Sequence, residues 1–287
     1  MKASALPHFE KSLSCDRLIR IDDQVSLHVF EFRPLHDGHR IPIVIISGLV
    51  TIIDSFRTIV EGLSENHPVF YIETRDKTSS VIAGKVKFNI RTMGDDIRHI
   101  IGDLGLKERE YAMIGYSFGG PIITECCRTI AQKPLCIIFM EPTAEFNYPG
   151  WSLFLIKWFG VPLFPVLKNF AKWYLGKFRL NKKEDVQMAL ILSDTINNAD
   201  PVKFRNSILD IAGYKIYDNL KNVTSPSLIV GTSKDGLHVI GEMKRMEELL
   251  GNVTYIDLET NERTHNMDMV RVSMDFIGKV IEQSAGK

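Results

Sequence analysis

Hydrophobic and polar positions along the chain follow two periods, one typical of strands and one typical of helices. Residues 18–21 and 25–32 flank the polar pair Asp22 and Asp23, which predicts an antiparallel hairpin. Residues 41–46 are almost entirely apolar and mostly β-branched, as expected of a strand buried on both faces. The chain is therefore predicted to open with an antiparallel pair and to continue with a buried strand.

Beyond residue 50 the pattern predicts strands that are separated by helices. The predicted strands are 69–73, 111–114, 135–140, 227–231 and 254–258. A helix is predicted over about 53–63, and a second over about 95–104, where apolar residues recur at helical spacing and form one stripe facing a sheet. This alternation predicts an α/β fold, with a mostly parallel sheet and helices on both faces.

Residues 146–183 break this alternation. The stretch contains no Asp or Glu, and it holds all three tryptophans of the chain, Trp151, Trp158 and Trp173. Charged and helix-breaking residues cut its longest apolar run well short of the ~18 residues that a membrane span needs. The sequence therefore predicts a helical insertion into an α/β core, which we call the cap (lid). The predicted core comprises 1–143 and 221–287, and the predicted cap comprises 144–220.

Composition narrows the classes of function. Lys plus Arg and Asp plus Glu number 35 each, so no overall charge favours nucleic acid as a partner. The N-terminus has no apolar stretch like that of a secretory signal, so we expect an intracellular, cytoplasmic protein. No spacing typical of metal ligands or of a dinucleotide loop is present, so no cofactor and no metal is expected. The cysteines are expected to be reduced and buried; they are Cys15, Cys126, Cys127 and Cys136.

A serine stands where a predicted strand turns into a predicted helix. The segment G-Y-S-F-G-G, residues 115–120, follows one apolar run and precedes another. In such a turn the hydroxyl of Ser117 is pushed out of the sheet, and flanking glycines avoid collisions with neighbouring elements. The backbone N–H of Phe118 and the helix N-terminus point to the same place and stabilise negative charge there. A bare G-x-S-x-G also occurs in structural turns, but the flanking strand and helix favour a nucleophile.

A nucleophilic serine needs a base and a third group that orients the base. Asp235 follows the predicted strand 227–231, and His265 follows the last predicted strand, just before a terminal helix. Both positions lie at the carboxyl ends of later strands, where such groups are expected. The order along the chain is Ser117, Asp235, His265.

This order, at these strand ends, resembles that of the α/β-hydrolase superfamily. The resemblance covers nearly the whole chain, from about residue 16 to the terminal helix. It implies that Ser117 is the nucleophile, His265 the general base and then acid, and Asp235 the orienting carboxylate. It also implies an oxyanion hole formed by the backbone amides of Leu49 and Phe118.

Two loops depart from the pattern of that superfamily. Many relatives carry His-Gly after the early strand, where this chain has Ser47 and Gly48. Relatives often have a D-x-R-G-x-G-x-S loop where this chain has E-T-R-D-K-T-S-S at 73–80. Because the glycines are missing, no functional residue is assigned to that loop.

A second carboxylate could take the role assigned to Asp235. Glu141 closes the predicted strand 135–140, and some members of the superfamily hold the acid after that strand. Asp235 would in that case serve as the N-cap of the helix that follows it. Both carboxylates remain candidates at this point.

The other polar candidates have simpler interpretations. His238 lies three residues after Asp235, but the loop after the final strand is the better position for a base. Asp96 and His99 are expected to form a solvated pair on a helix face. The remaining histidines are expected at the surface; they are His8, His28, His36, His39, His67 and His99.

The cap supports two interpretations. Its aromatic side chains would form a wall for an apolar substrate, and its lysines would attract an anionic group or surface. Alternatively, the tryptophans pack the cap onto the core while the lysines are simply solvated. On the first interpretation the residues that bind substrate are Gly48, Trp151, Phe154 and Trp158.

The sequence thus predicts a serine hydrolase that cleaves a carboxylic ester or thioester with an apolar acyl group, through an acyl-enzyme. An acyltransferase with the same triad and a non-catalytic ligand-binding protein on the same scaffold are the alternatives. The intact set of Ser117, Asp235 and His265 disfavours the last. The expected partner is a small apolar ester or acyl compound, with contact to a membrane surface through the cap and with no nucleic acid.

Overall fold

A nine-stranded sheet forms the centre of the computed structural model, which describes residues 6–36, 40–166, 168–169, 193, 195–234 and 240–286. Its strands are β1 (Ser12–Arg20), β2 (Val25–Pro34), β3 (Ile43–Ile46), β4 (Val69–Glu73), β5 (Val81–Ile82), β6 (Ala112–Tyr116), β7 (Cys136–Met140), β8 (Ser227–Gly231) and β9 (Val253–Asp257). Their spatial order is β1-β2-β4-β3-β6-β7-β8-β9, and the short β5 pairs with β2.

The sheet is antiparallel at one edge and parallel elsewhere. β1 and β2 form the predicted hairpin, with Leu18 opposite His28, and β2 pairs antiparallel with β4. From β4 across β3, β6, β7 and β8 to β9 every pairing is parallel. Every residue of β3, β4, β6, β7 and β8 is buried, which explains why these strands are continuous apolar runs in the sequence.

Helices cover both faces of the sheet, as predicted. They are α1 (Arg57–Ser64), α2 (Ile90–Asp103), α3 (Gly119–Thr129), α4 (Gly150–Phe159), α5 (Pro201–Ile211), α6 (Ile240–Leu249), α7 (Asn261–Thr264) and α8 (Met267–Ala285). Along β3, Val44 and Ile46 join the core beneath α2 and α3, while Ile43 and Ile45 join the core beneath α1 and α8. This alternation follows from the two-residue period of a strand.

Two helices begin elsewhere than predicted. The segment predicted as a helix from residue 53 starts with a 3-10 turn, Ile53–Phe56, before α1. α2 starts at Ile90, five residues earlier than predicted, because the side chain of Asn89 accepts a hydrogen bond from the Thr92 amide and caps the helix. α2 ends before Gly105, which has a φ of +66°.

The segment between β7 and β8 contributes no strand to the sheet within its described residues. Its last part nevertheless packs into the core: Ile208, Ile211, Ile216 and Leu220 belong to the apolar cluster beneath α2 and α3. The division into core and cap stays a prediction, and Trp173 lies outside the described residues. Among the helices that the structure describes, none is both long enough and apolar enough to cross a bilayer.

Two predictions about polar residues are wrong. Asp96 is buried and does not form a solvated pair with His99, because the guanidinium of Arg75 donates two hydrogen bonds to its carboxylate, at 2.6 and 2.8 Å. His67 is also buried, and its Nδ1 lies 2.8 Å from the carbonyl oxygen of Ile41. In both cases a partner that is distant in sequence makes burial of the polar group affordable.

Of the four cysteines, three are buried free thiols as predicted, namely Cys126, Cys127 and Cys136. Cys15 is a free thiol too, but it is exposed, because it lies on the edge strand β1. The prediction of burial is therefore wrong for Cys15 alone.

Candidate functional site

Ser117 occupies a strained turn between β6 and α3. Its φ is +47°, a left-handed conformation that costs a non-glycine residue about 1–3 kcal/mol. The turn is held by a hydrogen bond from the Ser117 amide to the Met140 carbonyl, at 2.9 Å. A Cβ on Gly119 would lie 2.1 Å from the carbonyl oxygen of Ile46, so only glycine fits there. The backbone therefore forces the serine hydroxyl out of the sheet.

Two further strained residues lie beside this turn. Val50 has a φ of +51° and Glu141 a φ of +46°; they follow β3 and β7, the two strands that flank β6. A positive φ in a β-branched residue is a genuine outlier. Strain of this kind concentrates at functional sites, so these three neighbouring strand ends define the candidate site.

The hydroxyl of Ser117 has a polar neighbour that the sequence analysis missed. Its Oγ lies 3.0 Å from the Oγ1 of Thr143, and the Thr143 amide donates a hydrogen bond of 3.2 Å to the Ser117 carbonyl. Thr143 therefore contacts Ser117 through both its hydroxyl and its amide. The sequence offers only its position, three residues beyond β7, as a signal.

His265 lies against the same turn. Its imidazole is buried and meets the ring of Tyr116 edge-on, with ring centroids 5.0 Å apart. The ring of Phe56 is 5.8 Å away on another side. Since Tyr116 immediately precedes Ser117, the base predicted from sequence and the predicted nucleophile share this corner of the molecule.

The surroundings of His265 assign its ring protons. Nδ1 lies 3.0 Å from the carbonyl oxygen of Asn261 and 3.1 Å from the Oγ1 of Thr264. A carbonyl oxygen can only accept, so the contact with Asn261 requires a proton on Nδ1. In the neutral imidazole this leaves Nε2 as the basic nitrogen. A general base needs this tautomer if Nε2 is to take a proton from a serine.

A buried carboxylate is linked to that imidazole through a single hydroxyl group. The Oγ1 of Thr264 donates a 2.6 Å hydrogen bond to the Oε1 of Glu141, and the same oxygen is the one beside Nδ1 of His265. Glu141 and Thr264 are both fully buried. Glu141, the alternative acid, is thus linked to His265 through Thr264. The sequence did not single out Thr264. Asp235 lies outside the described residues.

The loop predicted to supply an oxyanion donor is anchored on both sides of Leu49. The Nζ of Lys77 donates to the carbonyl of Gly48 at 2.8 Å, and the amide of Val50 donates to the Oδ2 of Asp76 at 2.6 Å. The other predicted donor, the amide of Phe118, stands at the N-cap of α3, where the first backbone N–H groups have no partner within the helix. The Gly48 carbonyl and the Val50 amide, on either side of Leu49, are therefore fixed by hydrogen bonds, and Phe118 directly follows Ser117.

Lys77 and Asp76 form a fully buried ion pair, with Nζ and Oδ2 2.7 Å apart. Besides Gly48 and Asp76, the ammonium donates to the Oγ1 of Thr74 at 3.1 Å, so three acceptors match its three protons. Where relatives often have a glycine-containing loop, this chain therefore has a charged cluster that clamps the loop carrying Leu49. The charged residues of the segment 73–80 were the signal available in the sequence, but no role was assigned to them.

The loop of residues 74–80 also contacts α5. The Nζ of Lys203 donates to the carbonyl of Lys77 at 2.7 Å, and it donates also to that of Ser80. Burial lowers the pKa of Lys203. The hydroxyl of Thr78 donates to the carbonyl of Asn198, just before α5. Residues from the predicted cap and the loop that carries Leu49 are thus joined through residues 74–80.

The aromatic residues predicted to bind substrate lie at the surface. Trp151, Phe154 and Trp158 are 70%, 58% and 63% exposed. Phe146, which the sequence analysis did not single out, packs edge-on against Phe118 with ring centroids 5.8 Å apart. An open cavity of about 500 Å³ adjoins Phe146 and is lined by residues 146–149, Leu153, Ala212 and Gly213. Phe146 therefore joins this cavity to Phe118, the residue that follows Ser117.

Gly48, the remaining predicted substrate-binding residue, lies within the anchored loop. A Cβ there would lie 2.9 Å from the Oγ1 of Thr51 and 3.1 Å from the ring of Tyr116. The absence of a side chain lets this loop approach the strand that carries the serine. A role for Gly48 in binding substrate stays a prediction.

Comparison with known proteins identifies the family of the fold. The family model for the alpha/beta hydrolase fold matches residues 41–264, and the chain belongs to this family. Comparison with curated protein sequences finds no match.

Solved structures share the fold at low sequence identity. An esterase from Thermogutta terrifontis superposes with a TM-score of 0.75 at 14% identity, covering 94% of this chain and 99% of that one. A bromoperoxidase from Bacillus anthracis gives 0.74 at 16% identity, covering 92% and 100%. An esterase from Exiguobacterium antarcticum gives 0.71 at 16% identity, covering 91% and 98%. At such identities the likeness concerns the fold.

Proposed function

We propose that the protein is a serine hydrolase that cleaves carboxylic esters or thioesters with an apolar acyl group. The observation that carries the proposal is the strained turn at Ser117, with the imidazole of His265 packed against the preceding Tyr116. The aromatic pair of Phe118 and Phe146 and the cavity beside it support an apolar acyl group. Esterases among the structural neighbours agree with this class.

In the proposed reaction Ser117 attacks the carbonyl carbon of the ester while Nε2 of His265 takes the hydroxyl proton. The negative charge on the carbonyl oxygen is stabilised by the amides of Leu49 and Phe118, which the clamp and the helix N-terminus hold in place. The protonated His265 then gives its proton to the leaving alcohol or thiol. Nε2 then takes a proton from water as the water oxygen attacks the acyl carbon, and it gives that proton to the Oγ of Ser117 as the bond between serine and acyl group breaks and the acid is released.

The acid of the triad is the second part of the proposal. Asp235 is the carboxylate predicted from sequence, and it stays a prediction. The contacts of the described residues favour Glu141, because its carboxylate reaches Nδ1 of His265 through the hydroxyl of Thr264. A negative charge in that position stabilises the imidazolium that forms when the serine is deprotonated.

Hydrolysis of nitrophenyl esters of increasing acyl length tests the proposed activity. We expect turnover by the wild type with a preference for longer acyl chains, and a loss of about 10³-fold or more in kcat for Ser117→Ala. Ser284→Ala, at an exposed serine of α8, is the matched control and should keep full activity. Equal turnover by Ser117→Ala and the wild type would exclude the proposed nucleophile.

The acid is tested by comparing Glu141→Gln, Asp235→Asn and Thr264→Val in the same assay. If Glu141 acts through Thr264, Glu141→Gln and Thr264→Val both lose about 10²-fold or more in kcat, and Thr264→Ser, which keeps the hydroxyl, retains most of it. A large loss in Asp235→Asn with near-normal Glu141→Gln and Thr264→Val would assign the acid to Asp235 instead.

A further inference from the structure

α4 is apolar on two opposite faces. Leu153 and Ile156 point inward and pack against the core beneath α2 and α3. Five large apolar side chains recur at the spacing i, i+3, i+4, i+7, i+8 and point to solvent. They form what we call the outer face of α4, and they are Trp151, Phe154, Leu155, Trp158 and Phe159, exposed by 70%, 58%, 47%, 63% and 45%. This spacing places all five on one side of the helix.

The apolar surface continues beyond the helix. Val161, Leu163 and Val166 are 37%, 44% and 65% exposed. Of the seventeen large apolar residues exposed along the described chain, eight therefore lie within sixteen consecutive positions, 151–166. Single exposed apolar residues are ordinary, whereas a contiguous group marks a surface that binds something.

The charges along this stretch of the chain have one sign. No Asp or Glu occurs from 146 to 183. Lys157 flanks the outer face, with its Nζ 5.8 Å from the ring centroid of Trp158. On the far side of the helix, the Nε of Arg205 in α5 donates to the backbone carbonyl of Lys157 at 2.9 Å, so α4 is held onto α5. The surface thus combines exposed tryptophans with a lysine at its rim.

We propose that the outer face of α4 binds the surface of an anionic lipid bilayer. Tryptophan favours the boundary between headgroups and acyl chains, and lysines beside an apolar helix face attract anionic headgroups. α4 has ten residues, so it would lie in the interface rather than cross it. A second copy of the chain fits this surface less well, because two copies would bring together two surfaces without carboxylates, and their lysines would repel.

This proposal goes beyond the proposed hydrolase and does not depend on Ser117. The two can fail separately, because Ser117→Ala should bind vesicles as the wild type does whether or not the wild type cleaves esters. If both hold, the enzyme would meet its apolar substrate at a lipid surface.

Co-sedimentation with vesicles tests the proposal. Vesicles of phosphatidylcholine alone are compared with vesicles containing phosphatidylglycerol, and the emission of the exposed tryptophans is followed. We expect binding that is stronger on phosphatidylglycerol and weakened by salt, with a blue shift of the emission. The double variant Trp151→Ala/Trp158→Ala should bind about tenfold or more weakly.

The matched control is Leu13→Ala/Leu18→Ala, which removes two exposed apolar side chains, 63% and 53% exposed, from β1 at the far edge of the sheet. It should bind as the wild type does, and circular dichroism verifies that both double variants are folded. Wild-type protein that sediments with neither vesicle would overturn the proposal, as would equal binding by the tryptophan variant. Light scattering that shows a dimer lost in Trp151→Ala/Trp158→Ala, without vesicle binding, would assign the surface to a second copy instead.

Discussion

Replacing Lys77 with methionine removes the charge that clamps the loop of Leu49. The ammonium is fully buried and donates to Gly48, Thr74 and Asp76 at 2.8, 3.1 and 2.7 Å. Methionine has a comparable apolar stem, so the main loss is the charge and its three hydrogen bonds. The carboxylate of Asp76, itself fully buried, is then left without its counter-ion.

The expected cost is large for one side chain. Removing one partner of a buried ion pair costs about 3–5 kcal/mol, because the remaining charge stays buried without compensation. For a chain of this length that corresponds to a fall in Tm of roughly 6–10 °C, at about 2 °C per kcal/mol. Urea unfolding followed by circular dichroism measures the change directly as a lower midpoint at constant slope. We also expect kcat on a nitrophenyl ester to fall more than KM changes, because the Leu49 amide loses its position.

Two further variants separate the charge from the packing. Lys107→Met, at an exposed lysine, is the control and should change stability by less than about 0.5 kcal/mol. The double variant Asp76→Asn/Lys77→Met no longer buries an uncompensated charge and should be more stable than Lys77→Met alone. A midpoint for Lys77→Met that is indistinguishable from the wild type, or a double variant less stable than the single one, would refute the argument.

The remaining predictions concern the turn, a second ion pair and pH. Gly119→Ala should abolish the soluble fold or cost more than about 3 kcal/mol in urea unfolding, whereas Gly278→Ala, with open space around it, should be neutral or stabilising by up to about 1 kcal/mol; equal effects would contradict the geometry of the turn. Arg75→Lys should cost about 1–3 kcal/mol, since a lysine cannot make the two parallel hydrogen bonds to Asp96, and an unchanged urea midpoint would contradict this. Burial lowers the pKa of His67, so its stabilising contribution is complete above the unfolded value of about 6.5 and is lost as pH falls below it. Tm measured from pH 7.5 to 5.5 should therefore fall less in His67→Gln than in the wild type, and parallel curves would refute this.

Most of the sheet could be predicted because its central strands are buried on both faces. β3, β7 and β8 are apolar at nearly every position, a pattern that leaves few alternatives once the flanking turns are recognised. β5 was missed because two residues carry no periodicity, and it exists only through its pairing with β2. The predicted start of α2 is five residues too late, because it follows the apolar stripe alone and takes no account of the capping residue Asn89.

The candidate site could be predicted in part. The glycines around Ser117 and the position of His265 after the last strand are local signals, and both residues lie at the corner beside Tyr116. The hydroxyls of Thr143 and Thr264 could not be found, because their roles depend on distances between loops that are far apart in sequence. Such contacts have no periodicity and no motif.

Residues that pair over long distances were the main source of error. Asp96 was assigned to solvent because a polar residue on a helix is usually exposed, and only the approach of Arg75 makes its burial favourable. For the tryptophans of α4 the sequence left two interpretations open, a wall for an apolar substrate and packing of the cap onto the core. Helical spacing shows that they share a side but does not show whether that side faces the core.

The central claim is that Ser117 is a nucleophile activated by His265. Reaction with a fluorophosphonate, followed by intact-mass and peptide mass spectrometry, tests it most directly. We predict a single adduct on the peptide that contains Ser117, no adduct in Ser117→Ala, and labelling slowed by at least about a hundredfold in His265→Ala. Labelling of Ser117→Ala at the wild-type rate, or an unmodified wild-type protein that still turns over esters, would contradict the claim.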